Sequence, residues 1–321
     1  MSTVAGLLST LITSFSQSAS PARTDVPMTR ANECLAVHDG IGRRGRFVEL
    51  PDGRILLGTN NKLYTSSDGG MTWSEPWQPV YADNQEPVEW GEGSLVLFKD
   101  KSLGQVGRPV SNPKEDRNDC HLVLWRSSDG GKTWSRPKRI TPRLGFGLFC
   151  VHDVLIRTSS GRLLLPAYGD DKRCYTYYSD DEGETWTASQ PVILEVELDG
   201  RPVPIDGDEP TVVEVKPRTM LIFIRTDMGR LYQAWSMDDG ATWQKATPTE
   251  LAASSAPARL GKLPKTGDLV VVWSQAGTED VRKGFNRSRL STAISRDQGK
   301  TWTSFQNIES SIDGTHIDPD R

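Results

Sequence analysis

The sequence predicts an all-β protein made of repeated four-stranded units. Three observations carry this: an octapeptide that recurs five times, paired apolar runs around small polar turns ahead of each copy, and a composition suited to short strands and many turns. The copies are SSDGGMTW (Ser66 to Trp73), SSDGGKTW (Ser127 to Trp134), SDDEGETW (Ser179 to Trp186), SMDDGATW (Ser236 to Trp243) and SRDQGKTW (Ser295 to Trp302), each fitting S-x-D-x-G-x-T-W. Their aspartates, Asp68, Asp129, Asp181, Asp238 and Asp297, are spaced 52 to 61 residues apart. That period is long enough for one four-stranded sheet per repeat, as in a propeller blade.

The octapeptide has turn chemistry: an Asp that bonds backbone amides just ahead of it, a Gly free to take positive φ, and a Trp to bury beyond. Before it, each repeat offers a hairpin: RFVEL-PDG-RILLG, EPVEW-GEG-SLVLF, VLIRT-SSG-RLLLP, TVVEV-KPR-TMLIF and ARLGKL-PKTG-DLVVVW. A third run such as HLVLW, CYTYY, RLYQAW or RLSTAI leads into the box, and a fourth, such as SRPKRI or TASQPVIL, follows it. Alternating strand direction then places the boxes on one face and the starts of the first strands on the other. The five boxes read as hairpin structure, and function is expected at the opposite face.

Reading the start of each first strand gives Arg43, Glu86, Asp153, Glu209 and Arg259, all charged. In the fourth repeat, Glu209 and Arg225 flank a turn centred at Pro217, which predicts an acid beside a fixed cation at the channel mouth.

The wider composition sets limits. The 321 residues are 36% hydrophobic, with 29 Gly and 20 Pro, and Trp at 10 outnumbers Phe at 8 and Tyr at 7. A formal net charge of -4 without long runs of one sign argues against a nucleic-acid partner. No apolar run approaches the roughly 20 residues that span a bilayer, so a soluble protein is expected, with its compartment and oligomeric state open. Residues 1–40 form an N-terminal segment read as a leader or a closing strand; VAGLLSTLITSF within it faintly resembles a signal peptide but lacks a preceding Lys or Arg. Residues 41–310 are read as the repeat domain and 311–321 as a tail. Cys34, Cys120, Cys150 and Cys174 show neither CxxC nor His-paired metal spacing, so buried thiols are expected, or disulfides if the protein is exported.

Five boxes at this period, the Glu209-to-Arg225 interval and the RRGRFVELPDGRILL opening together resemble the sialidase (neuraminidase) superfamily. The resemblance covers residues 41–310 and implies a six-bladed β-propeller, of which about five blades are evident. A truncation or a genuine five-bladed ring would explain the difference. It also implies an exo-glycoside hydrolase that removes a terminal anionic sugar from a glycan or glycoconjugate, with no metal or organic cofactor; the alternative is a non-catalytic carbohydrate-binding propeller or inactive homologue. Position by position, Arg43 (with Arg44 and Arg46 competing), Arg225 and Arg287 (with Arg289 or Arg259 in its place) match arginines that clamp a carboxylate, the planar fork suiting that task. Glu209 matches the glutamate that supports a tyrosine nucleophile.

Two departures are visible. GTNNKLYTSSDGG has no acid where the family's acid/base aspartate would lie, so Asp153 is the substitute, with Asp119 behind it and His152 and Tyr168 as expected neighbours. No tyrosine follows the fifth box, the last being Tyr232, which leaves Glu209 as partner of a nucleophile or as the nucleophile itself.

Overall fold

A computed structural model describes residues 29–30, 45–59, 61–109, 121–142, 147–150 and 152–310 of the chain. They form five antiparallel blades of a β-propeller. Blade I holds Arg46–Glu49, Ile55–Thr59 and Lys62–Ser66; blade II holds Trp90–Leu97, Leu103–Pro109, Val123–Ser127 and Lys138–Arg139. Blade III pairs a divided first strand, Leu148–Phe149 and Ile156–Arg157, with Leu163–Gly169, Cys174–Ser179 and Thr187–Ala188. Blade IV is Asp208–Lys216, Thr219–Arg225, Arg230–Ser236 and Thr247–Ala252. Blade V is Ala258–Lys262, Leu269–Ser274, Arg289–Ser295 and Thr303–Ser310, with Thr29–Arg30 added in parallel at its outer edge. The one described helix, Thr278–Arg282, is a single short turn between strands of blade V, and no described helix is long and apolar enough to cross a membrane.

Register fixes the two faces. In blade IV, Asp208 pairs with Arg225 at one end of the hairpin, while Met220 pairs with Ser236, the first box residue, at the other. The boxes therefore lie on the face opposite Glu209.

All five boxes share one hydrogen-bond scheme. The Ser hydroxyl donates to the Asp Oδ1 at 2.7–2.9 Å and accepts from the Gly amide four residues on. The Thr hydroxyl donates to Asp Oδ2 at 2.5–2.7 Å, and the Thr amide donates to Oδ1. Every box carboxylate is thus consumed internally.

The box glycine has a second task. A Cβ on Gly131 would come 2.9 Å from Leu63 of blade I, on Gly183 3.3 Å from Leu124 of blade II, on Gly240 2.6 Å from Leu164 of blade III, and on Gly299 2.6 Å from Leu221 of blade IV. Each box closes directly onto the preceding blade. Among the described residues, a Cβ on Gly70 would meet Trp73 of its own box at 3.5 Å and no leucine of another blade. Gly240→Ala is therefore expected to destabilise by about 1–3 kcal/mol through overpacking against the fully buried Leu164, beyond the roughly 1–2 kcal/mol of left-handed strain that Gly70→Ala shares. Urea midpoints of the two variants measure the difference.

Between the blades run apolar layers. Leu56, Leu63, Trp90, Trp125 and Trp134 join blades I and II; Phe98, Leu124, Leu148 and Leu163 join II and III; Ile222, Ile224 and Cys174 are among those joining III and IV; Phe223, Leu260, Val271 and Trp273 are among those joining IV and V. Among the described residues no such layer joins blade V to blade I, and Phe47 on blade I stays 52% exposed.

Blade II corrects the sequence reading. Gly91-Glu92-Gly93 is not a turn; it lies inside one strand, Trp90–Leu97, and the hairpin turns at Asp100–Lys101, where Lys101 takes φ 67°. The glycines answer a close backbone approach at a bulge: a Cβ on Gly93 would fall 2.1 Å from the Val106 carbonyl oxygen, and one on Gly91 2.6 Å from that of Arg108. Glu86 consequently lies upstream of the strand, exposed and 3.4 Å from Arg136, and leaves the set of axial charges. The second strand of this hairpin is Leu103–Pro109.

Candidate active site

The face opposite the boxes gathers charged groups where the first strands begin. In blade III the first strand is interrupted, and the break carries His152 and Asp153 at φ 65° and 55°. In blade IV a bulge between Asp208 and Thr211 leaves Glu209 at φ 38°. Left-handed non-glycine residues of this kind persist only where surrounding structure over-determines them, and they cluster at working sites.

Asp153 reaches across the axis. Its Oδ2 accepts the Phe47 amide of blade I at 3.0 Å. Burial raises its pKa above the ordinary 3.8, against the opposing pull of that amide and of the Arg259 and Arg46 charges. Glu209 is displaced the other way. Burial acts upward on it as well, but hydrogen bonds from His152 and Arg225, together with the Arg225 charge, outweigh it and hold the carboxyl below 4.5. Its Oε1 lies 3.4 Å from His152 Nε2 and its Oε2 accepts from Arg225 Nη1 at 2.5 Å.

Arg225 is held on its other edge by Ser255, whose hydroxyl accepts from Nε at 3.2 Å and Nη2 at 3.1 Å and itself donates to Asp227. Arg287 Nη2 donates to the Ser255 carbonyl at 3.3 Å, so it approaches the same corner. Arg289 is taken by a two-pronged pair with Asp280 at 2.6 and 2.9 Å. Arg259 is reachable by solvent yet ringed by protein; desolvation lowers its pKa while the Asp153 charge opposes that, and among the described residues its guanidinium makes no hydrogen bond.

Several expected residues are therefore brought together: Asp153 with Arg259, and Glu209 with Arg225 and His152. The expected neighbours of Asp153 turn instead toward Glu209: His152 bonds it, and the Tyr168 phenol is pushed up by burial and by the charges of Glu209 and Asp208. Arg43, Arg44 and Asp119 lie outside the described residues, as do Cys34 and Cys120. Arg46, the remaining competitor for the first arginine, is 5% exposed; it donates to the Gly91 carbonyl at 2.9 Å, packs over Trp90, and is lowered by burial to about 10. Ser255, Asp227 and Asp208 carry no sequence signal of their own, because they matter only through the pairing that folding creates. Cys150 and Cys174 are both buried, and no metal-binding cluster of His, Cys, Asp or Glu occurs among the described residues.

Comparison with known proteins agrees with this architecture. A sialidase of Micromonospora viridifaciens is 26% identical over 88% of this chain and 44% of its own length. The xyloglucanase Xgh74A of Acetivibrio thermocellus is 32% identical over 43% of this chain and 16% of its own. The chain spans less than half the length of these curated relatives. Among solved structures, the Hadza microbial sialidase Hz136 superposes with a TM-score of 0.60 at 17% identity, covering 84% of this chain and 59% of that one, which speaks for a shared fold. Relatives and fold together mark a propeller similar to those of sialidases. Residues 80–314 match the family model described as BNR repeat-like domain, and the chain belongs to that family, with the Asp-box propeller fold of the sialidase superfamily.

Proposed function

We propose that the protein is a sialidase-like exo-glycoside hydrolase that releases a terminal anionic sugar from a glycan. The observation that carries the reading is the opposite displacement of two carboxyls at one axial corner, Asp153 upward and Glu209 downward. A pair of acids pushed apart in this way is what acid and base roles require. Asp153, inclined to keep its proton, donates it to the leaving glycosidic oxygen. Glu209, inclined to stay ionised, faces the developing positive charge at the anomeric carbon and acts as nucleophile or as the base that serves one. Because the nearby Tyr168 phenol is pushed up rather than down, Glu209 is the readier of the two to react as an anion.

Substrate charge follows from the cations. Arg259 has uncommitted donors facing the axis, and Arg225 is held in place by Glu209 and Ser255 with further N–H groups to spare. Arg287 completes the set from blade V. Such a cluster suits a sugar carboxylate, and the sialidase relatives support that choice over a neutral sugar.

The test is release of methylumbelliferone from its sialoside, set against the matching neutral glucoside and galactoside. Turnover of the sialoside alone is expected, with Arg225→Ala raising KM at least tenfold. Turnover of the neutral glycosides alone would overturn the anionic-sugar reading, and binding of sialosides without release from any substrate would leave the chain as a carbohydrate-binding propeller.

A further inference from the structure

Ser255 sits in the connection between blades IV and V, after Thr247–Ala252 and before Ala258–Lys262, and it touches the cation cluster twice. Its hydroxyl accepts from Arg225 Nε at 3.2 Å and Nη2 at 3.1 Å, and its carbonyl accepts from Arg287 Nη2 at 3.3 Å. One residue thus meets an arginine from each of two blades. A serine hydroxyl has one hydrogen to give and two lone pairs to accept with. Here the hydrogen goes to Asp227 Oδ1, in the turn that follows Arg225, which leaves the lone pairs to the guanidinium. An ionised carboxylate can only accept, so Asp227 keeps the serine oxygen turned toward Arg225. The peptide beneath is anchored as well. Buried Ser254 bonds Ser274 of blade V through its amide at 3.3 Å and its hydroxyl at 3.2 Å.

We propose that Ser255, oriented by Asp227, is a positioning residue that sets Arg225 and Arg287 to receive a sugar carboxylate, and so carries the preference for an anionic over a neutral sugar. The donors of Arg225 support this. A guanidinium has five N–H groups. Among the described residues, Ser255 takes the Nε–H and one N–H on Nη2, and Glu209 takes one on Nη1. One N–H on each Nη remains, the number a carboxylate uses in a two-pronged bond. Without the serine oxygen the plane is held at Nη1 alone, and swinging about that single bond spoils a fork whose value lies in its fixed geometry. Burial pulls the Arg225 pKa down, but the bond to Glu209 and the charges of Glu209, Asp208 and Asp227 outweigh it, so the cation persists.

This role rests on the anionic-sugar reading of the same corner. Release of methylumbelliferone from its sialoside would be measured for the wild type, Ser255→Ala, Ser255→Thr, Asp227→Ala and the Ser255→Ala/Asp227→Ala pair. Proton–nitrogen NMR of the Arg225 Nε–H, assigned by its absence in Arg225→Lys, would be recorded for each. Ser255→Ala is expected to raise KM about three- to tenfold with kcat within about twofold, because a grip equal in ground and transition states changes KM alone. Ser255→Thr keeps the hydroxyl and stays near the wild type. Asp227→Ala, at an exposed position, moves KM the same way, and the pair is no worse than Ser255→Ala, as for two residues acting in series. The Arg225 Nε–H exchanges slowly with water in the wild type and Ser255→Thr and fast in Ser255→Ala. Should Ser255→Ala not fold, Asp227→Ala carries the comparison through KM and the same resonance. A fall in kcat at unchanged KM, additive losses in the pair, or an Nε–H unaltered by Ser255→Ala would each overturn the role while sialoside turnover left the anionic-sugar reading standing. Turnover of neutral glycosides alone would overturn both. In a protein that binds sialosides without releasing them, the dissociation constant of free N-acetylneuraminic acid takes the place of KM, and the same pattern retains the role while the hydrolase reading falls.

Discussion

Asp153→Asn is expected to slow glycoside release by about 10²–10⁴-fold, the range for losing a positioned general acid, while making the fold more stable at neutral pH. The two effects share one cause. A carboxyl whose pKa in the fold is raised above its unfolded value near 3.8 binds its proton more tightly in the native state. Its favourable contribution is full below that unfolded value and is lost as pH rises through the folded one, so at pH 7 the charged group weighs against folding. Asparagine removes the charge, still offers an oxygen to the Phe47 amide, and tolerates the left-handed backbone that Asp153 adopts at φ 55°. A gain of about 0.5–2 kcal/mol is expected, as for other stabilising changes made at functional positions. Thermal denaturation at pH 7 and pH 4 checks the sign, since the gain shrinks as Asp153 protonates. The kinetic loss is expected to be smaller for aryl glycosides, whose leaving groups need no proton, and the alkaline limb of the kcat/KM profile set by Asp153 should disappear.

Glu209→Gln is expected to abolish activity to a similar extent and, in contrast, to destabilise. The native carboxylate satisfies Arg225 and adjoins His152, so glutamine leaves a half-buried guanidinium with a neutral amide oxygen in place of its ionic partner. A loss of about 1–3 kcal/mol follows from leaving such a partner unmatched. The pH sign is reversed relative to Asp153: a folded pKa held below 4.5 gives stability that is present above that value and lost as pH falls through the folded one. Urea unfolding of wild type and variant at pH 7 and pH 4 should therefore converge toward the acid side. If both Asp153→Asn and Glu209→Gln destabilise at pH 7, the assignment of opposed roles fails.

The repeat made the blades legible in the sequence. S-x-D-x-G-x-T-W set the phase, and from it the position of Glu209 beside Arg225 could be read across a short turn, because antiparallel pairing about a known turn is nearly deterministic. Even there, a bulge makes Asp208 the backbone partner of Arg225 and turns Glu209 into the channel. Blade II was misread because Gly91 and Gly93 have the composition of a turn, whereas the fold uses them where a partner strand leaves no room for a side chain. His152 was read as a companion of Asp153 by adjacency, but a left-handed pair of residues points consecutive side chains apart, and His152 turned to Glu209. Ser255 matters through its hold on Arg225, 30 residues away in the chain, which no local pattern encodes.

The leucines under the box glycines give the ring a direction in time. Gly131, Gly183, Gly240 and Gly299 each rest on a side chain contributed by the blade made just before, so every seal points back toward the N-terminus. During synthesis a newly emerged blade meets a finished surface instead of waiting for one, and order can propagate blade by blade by nearest-neighbour contacts. Under force or heat the same asymmetry runs in reverse: once its seal on blade IV opens, blade V can leave without disturbing any box earlier in the chain.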